Sequence, residues 1–205
     1  MSAQRITHLF TDLGGVLLTN GWDGALRRRT AEHFGVDAKE MDGRHHLTYD
    51  TYESGKISLR TYLQRVVFYE PRPFSVDDVI AFMLEAARPF PDMIELVRTL
   101  KARHSLKVAV VSNEGRELTA DRIERFALRE FVDFFIVSCY VHFRKPDEDI
   151  FRVALDIAQG APDQVVYIED RPMFVEVAAS LGMRAIWHRS RDQTAAELAA
   201  LGLTE

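Results

Sequence analysis

Short apolar runs that each stop at a polar residue limit this chain's architecture more than any other feature. The segment Ile6 to Leu13, ITHLFTDL, is β-prone and runs through Asp12 into Gly14-Gly15, the mark of a strand feeding a tight turn. Val108 to Val111 stops at Ser112, Phe134 to Val137 at Ser138, and Val165 to Ile168 at Glu169-Asp170. Continuous rather than alternating hydrophobicity belongs to strands buried on both faces. Between the runs, apolar residues recur at helical spacing: Met93, Val97 and Leu100; Ile150, Ala154 and Ile157; Phe174, Ala178 and Leu181, with Pro172 at the start and Gly182 past the end. A fifth strand over Arg184 to Trp187 and a helix from about Asp192 to Leu201 complete the pattern. Strands alternating with helices predict an α/β fold, a doubly wound parallel, Rossmann-like sheet.

The stretch from about Asn20 to Arg88 breaks the alternation. It offers no strand, but Leu59, Tyr62, Leu63, Val66 and Val67 share one helix face, and Val76, Ile80, Met83 and Ala87 another. Gly35, Gly43, Gly55 and Pro71-Arg72-Pro73 are expected to divide it into about four helices. The predicted organisation is a core of residues 1–19 and 89–205 with a small helical module, 20–88, inserted after the first strand.

Composition excludes several classes of function. The chain has 205 residues, 47% hydrophobic and 28% charged, enough for one core and a modest insertion. Acidic residues outnumber basic ones 31 to 26, so no broad field attracts a nucleic-acid backbone. The one cysteine, Cys139, forms no internal disulfide and no four-cysteine zinc site. Met1 to Arg5 lacks the apolar stretch of a signal peptide and no run is long enough to span a membrane, so the expected location is cytoplasmic, with no membrane partner. Nothing in the sequence decides between monomer and dimer.

In an open parallel sheet, ligands bind beyond the carboxyl ends of the strands. There the topology gathers Asp12, Ser112 and Asn113, Lys145, and Glu169-Asp170. This set suits phosphoryl transfer: a carboxylate to attack phosphorus, acidic groups to hold magnesium, and a hydroxyl and an ammonium to hold the remaining phosphoryl oxygens.

These residues resemble the haloacid dehalogenase (HAD)-like hydrolases, and the resemblance spans the chain. Its motifs match in order: Asp12 in TDLGGVLL, Ser112 in VAVVSN, Lys145 in RKPDEDIF and Glu169-Asp170 in VVYIED. The helical insertion after the first motif resembles the cap of the branch that includes sugar-phosphate phosphatases. The resemblance implies Asp12 as nucleophile, Ser112 and Lys145 as phosphate ligands with Asn113 beside them, and Mg2+ held by Asp12, the Gly14 carbonyl and Asp170, with Glu169 in its outer shell. Family phosphatases usually carry a second aspartate where this chain has Gly14, to protonate the leaving group and activate water. General acid-base help is typically worth about a hundredfold to ten-thousandfold.

The expected activity is therefore magnesium-dependent hydrolysis of a small phosphorylated metabolite, a sugar phosphate among them. Two alternatives follow from Gly14: carbon-phosphorus cleavage with Lys56 or Lys39 as an imine-forming cap lysine, or a phosphoryl-ligand-binding protein with impaired turnover. Other polar groups have bland readings. Arg27-Arg28-Arg29 is expected on a solvated helix face, His45-His46 at a polar helix end, and Glu53-Ser54-Gly55-Lys56 in a turn between cap helices. Ser112 and Asp170 would also serve as helix caps. His142 and Arg144 are given no catalytic role.

Overall fold

A computed structural model describes residues 5–205; the first four residues of the arm Met1 to Arg5 lie outside the described residues. Five strands form one parallel sheet: β1 (His8–Thr11), β2 (Lys107–Ser112), β3 (Phe134–Val137), β4 (Val165–Glu169) and β5 (Arg184–Trp187), in the order β3-β2-β1-β4-β5. The chain runs outward from β1 to β3, then returns to place β4 on the other side of β1. That reversal makes the end of β1 a topological switch point, where loops diverge and leave a crevice.

Helices cover both faces. Leu9, Val108 and Val110 turn towards Met93, Val97 and Leu100 of α5 (Pro91–His104), Ile123 of α6 (Arg116–Arg125) and Leu198 of α10 (Arg191–Ala200). Phe10, Ala109 and Val111 turn the other way, towards Ile150, Phe151 and Ala154 of α8 (Glu148–Ala158) and Ala178 of α9 (Pro172–Ser180). Neighbouring strand residues thus serve opposite cores, which explains the unbroken apolar runs. Ile157 departs from its expected face: it lies near the end of α8 and is 55% exposed.

The insertion is four helices, α1 (Gly24–Phe34), α2 (Ala38–Glu53), α3 (Leu59–Val66) and α4 (Val76–Glu85). Each starts at a side-chain cap: Asp23, Asp37, Ser58 and Ser75 accept bonds from Leu26, Glu40, Thr61 and Asp78 amides, satisfying otherwise orphaned N–H groups. Gly35 ends α1 in the left-handed conformation. Gly43 does not divide the segment as expected. It lies inside α2, where no stop signal follows it until Gly55, and open space surrounds it. The cap has its own core, with Leu26, Met41, Tyr52, Leu59, Tyr62, Leu63, Val66 and Met83, joined by Leu118 from α6.

Cap and core meet in two ways. The outgoing and returning chains run side by side, with Thr19 N–H donating to Arg88 O at 2.9 Å and Phe90 N–H to Leu17 O at 2.8 Å. The end of α2 also docks on the core. Ser138 Oγ donates to Glu53 O at 2.8 Å, His142 Nδ1–H to Ser54 O at 2.8 Å, and the Tyr52 ring lies where a Cβ on Gly115 would stand. A Cβ on Gly55 would come 2.3 Å from Cys139 O, so glycine permits this close approach.

Candidate active site

The switch point opens into a cavity of about 530 Å³ between core and cap. Its floor is lined by Asp12, Gly14, Ser112, Asn113 and Lys145, and its roof by Trp22, Arg27, His45, Tyr49, Asp50 and Glu53. Residues from two strand ends and a later loop therefore meet on one surface.

The turn after β1 sets the geometry. Leu17 and Leu18 N–H donate to Leu13 O and Gly15 N–H to Leu18 O, a ladder that leaves the Gly14 carbonyl unused. Gly15 has φ +79°, and a Cβ there would come 2.2 Å from Asp170 Oδ2. The left-handed angle and the close carboxylate both require glycine at 15. Gly14 is different: its backbone is not left-handed, and a Cβ would meet Asn20 Oδ1 at 2.9 Å.

Lys145 is the hub of the floor. It is buried, and its Nζ donates to Glu169 Oε2 at 2.6 Å and Tyr167 Oη at 2.9 Å and lies 3.0 Å from Asp12 Oδ1. The last contact is an ion pair without hydrogen-bond alignment, because Asp12 Oδ1 has no well-directed donor. Burial alone would favour the neutral amine, but the charges of Asp12 and then Glu169 outweigh it and raise the lysine above its ordinary value. Burial first, and the Glu169 charge second, push Asp12 above the usual carboxylate range against the pull of Lys145. Two buried acids so placed favour an additional cation.

The fourth-motif acids divide the work. Glu169 Oε2 accepts from Lys145 and from Tyr167 Oη at 2.5 Å, while Oε1 accepts from Arg171 N at 3.1 Å. Asp170 Oδ1 is buried and unpartnered, whereas Asp12 Oδ1 has only the Lys145 ion pair. Asp12, Glu169 and Asp170 each offer an oxygen within 4.8 Å of the others. Clustered carboxylate oxygens, one of them without a partner, and a free backbone carbonyl form a hard oxygen donor set, which fits Mg2+.

The neighbours of these groups revise several expectations. Neither Ser112 nor Asp170 caps a helix: α6 and α9 begin at Gly115 and Arg171, both without a side-chain cap. Ser112 is buried and lines the cavity. Asn113, expected to bind substrate, lines the cavity and also grips the Lys145 backbone from both ends, accepting from Lys145 N at 2.8 Å and donating to Lys145 O at 2.8 Å. It therefore positions the lysine.

In the cap, Arg28 and Arg29 are solvated as expected, but Arg27 turns inward to Asp42 and Trp22 O. His45 is buried in the middle of α2, because residues 45, 48 and 52 form its inner stripe. Glu53 belongs to α2 rather than to a turn, and Arg144 binds it at 2.7 Å and Asp50 at 2.5 Å. Lys39 and Lys56 are exposed, and neither lines the cavity. Sequence reasoning missed Glu114, a buried cavity residue paired with Arg122 at 2.8 Å. Burial, opposed by Arg122, pushes its carboxyl up to about 7.

A parallel α/β core, a strand-end aspartate held by a buried lysine, and a helical roof define a capped hydrolase. The chain belongs to the haloacid dehalogenase-like hydrolases, whose family model matches residues 6–182. It is similar to a phosphorylated carbohydrates phosphatase of Thermotoga maritima, 26% identical over 132 residues, 64% of this chain and 56% of the relative. Flavin mononucleotide hydrolase 1 of Arabidopsis thaliana is 24% identical over 173 residues, 83% of this chain and 69% of that one. Bifunctional epoxide hydrolase 2 of Sus scrofa is 30% identical over 132 residues, 62% of this chain but only 24% of the larger protein. A HAD-family enzyme of Bacteroides thetaiotaomicron, solved with magnesium and inorganic phosphate, superposes with TM-score 0.75 at 18% identity, over 90% of this chain and 94% of that one. A HAD-like hydrolase of Porphyromonas gingivalis gives 0.79 at 20%, over 98% and 100%. At these identities the structural likeness is one of fold. No described helix is long and apolar enough to cross a membrane.

Proposed function

We propose that this chain is a magnesium-dependent phosphatase for small phosphorylated metabolites, with the core of residues 1–19 and 89–205 supplying the chemistry and 20–88 forming the cap. The observation that carries the reading is the carboxylate cluster of Asp12, Glu169 and Asp170 beside Lys145, in which Asp170 Oδ1 is buried without a partner and Asp12 Oδ1 is held only by the lysine. Asp12, the Gly14 carbonyl and Asp170 would hold the metal, with Glu169 behind them; bound there, it would neutralise charge between an anionic nucleophile and an anionic ester.

Asp12 attacks phosphorus, forming an acyl-phosphate bond as the ester oxygen leaves, and water later cleaves that bond to release phosphate and restore the carboxylate. Lys145, fixed by Asn113 and Glu169, and Ser112 hold the non-reacting phosphoryl oxygens as charge redistributes. Position 14 contributes no proton donor, so leaving groups that need little protonation are favoured. The activities of the carbohydrate phosphatase and the flavin mononucleotide hydrolase agree with this chemistry.

Release of inorganic phosphate from a panel of phosphorylated metabolites, with and without magnesium, tests the proposal. Hydrolysis that stops on chelation is expected; hydrolysis indifferent to chelator would remove the metal from the account. Gly14 supports a second reading, a phosphoryl-ligand-binding protein with impaired turnover. Saturable, magnesium-dependent binding of a phosphorylated metabolite without phosphate release would favour it.

A further inference from the structure

The roof carries a hydrogen-bond relay that none of the proposed chemical steps uses. Trp22 Nε1 lies 2.6 Å from Tyr62 Oη, and His45 Nδ1 lies 2.8 Å from the same oxygen. An indole N–H only donates, so it takes a lone pair of Tyr62 Oη. Tyr62 is fully buried and has no other polar partner among the described residues. Were Nδ1 also to donate, the phenol proton would be buried without an acceptor, which is strongly unfavourable. The phenol proton therefore goes to Nδ1, and the neutral imidazole carries its own proton on Nε2. Burial, and next the charges of Arg27 and His46, keep the ring neutral with a pKa of about 4 despite Asp42 and Asp50.

Nε2 has no partner among the described residues and is not sealed from the cavity that His45 lines. The Tyr49 ring lies 4.4 Å from the His45 ring between centroids, and Asp50 and Glu53 line the same cavity. The arginines of the roof are paired, Arg27 with Asp42 at 2.8 Å and Arg144 with Asp50 and Glu53, while Arg171, from the loop after β4, lines the same cavity without an ion-pair partner among the described residues. At His45 itself a hydroxyl group finds a donor and an aromatic face.

We infer that His45 is a specificity-determining residue whose Nε2–H donates to an oxygen of the leaving group, so that the cap favours phosphate esters of hydroxyl-bearing compounds. This rests on the phosphatase reading.

Two readouts test it. Long-range proton-nitrogen NMR on the wild type at pH 7 should show the Nε2–H tautomer of His45, and glucose 6-phosphate with magnesium should shift that nitrogen. An Nδ1–H tautomer, or an unmoved resonance at saturating ligand, overturns the inference without reference to turnover. In kinetics, the kcat/KM ratio of glucose 6-phosphate to p-nitrophenyl phosphate should fall about fivefold to tenfold in His45→Phe, mainly through KM, and recover in His45→Gln, whose amide restores a donor. A ratio unchanged in His45→Phe while magnesium-dependent hydrolysis persists sinks the role of His45 alone. Absence of any wild-type hydrolysis sinks the phosphatase reading instead, and the NMR shift then decides whether His45 donates.

Discussion

The floor and the roof of the cavity handle polarity in opposite ways. On the floor, full charges are buried against one another: Lys145 touches Asp12, Glu169 and Tyr167, and Asp170 Oδ1 is left over. On the roof, charges are paired off and a neutral relay leaves one donor open at His45. Unfinished charge attracts a metal and a phosphate whatever the rest of the ligand is; a finished network with one open position reads shape and hydrogen bonding. Under the proposed function, the contrast puts chemistry in the core and choice of substrate in the cap.

Asp12→Asn breaks the floor and should have the largest effect, lowering hydrolysis of an aryl phosphate by about a thousandfold or more, since an amide is a poor nucleophile and a weaker metal ligand. Steady-state phosphate release measures it; a rate within tenfold of wild type would place the nucleophile elsewhere.

Arg122→Met tests the seam between the two regions, where Arg122 pairs with Glu114 and donates to Thr19 O. The folded carboxyl of Glu114, at about 7, lies above its ordinary value of 4.5. The folded state thus binds the proton more tightly, and this group's contribution to stability is greatest below about pH 4.5 and is lost as pH rises through 7. Removing Arg122 should destabilise the protein by about 3 kcal/mol at pH 8, where Glu114 is ionised, and by less at pH 5. Urea denaturation at both values reads the difference, and equal losses would mean that the pair does not titrate as described.

Gly14→Asp sharpens the comparison by adding to the floor the proton donor it lacks. The backbone at 14 accepts a side chain, and Asn20 Oδ1, at 2.9 Å, must swing aside. Alkyl phosphates should gain about tenfold or more relative to aryl phosphates. A leaving-group series on both proteins decides; an unchanged slope would show that another group already donates the proton. At the small end, breaking the exposed Glu40–Arg44 pair on α2 with Arg44→Ala should change stability by no more than about 0.5 kcal/mol. A larger loss by thermal melting would mean that the roof depends on its solvent face.

The sheet was legible because burial on both faces writes itself as uninterrupted runs such as Val108 to Val111. The floor was legible because its side chains stand at strand ends, where topology fixes their meeting. Helix α6 was not, since RELTADRIER has little apolar periodicity and buries Arg122 by pairing it rather than by hydrophobicity. Glu114 escaped notice for the same reason: its partner lies in the helix that gave no signal. The roles of His45 and Asn113 depend on which atoms face which partners. Spacing along α2 could have put His45 on the inner stripe with Tyr52, but not its proton on Nε2.

Helix α2 carries His45 and Tyr49 near its middle, and at its end Tyr52 and Glu53, with Gly55 just beyond, fasten the cap to the core. Recognition and attachment are thus one rod about a dozen residues long. A lineage changing its diet could vary 46 at little cost, and 45 and 49 within what the buried Tyr62 and the cap core tolerate, but every trial at 52, 53 or 55 would loosen the lid for all substrates at once. Innovation in this protein is channelled into barely more than one turn of helix.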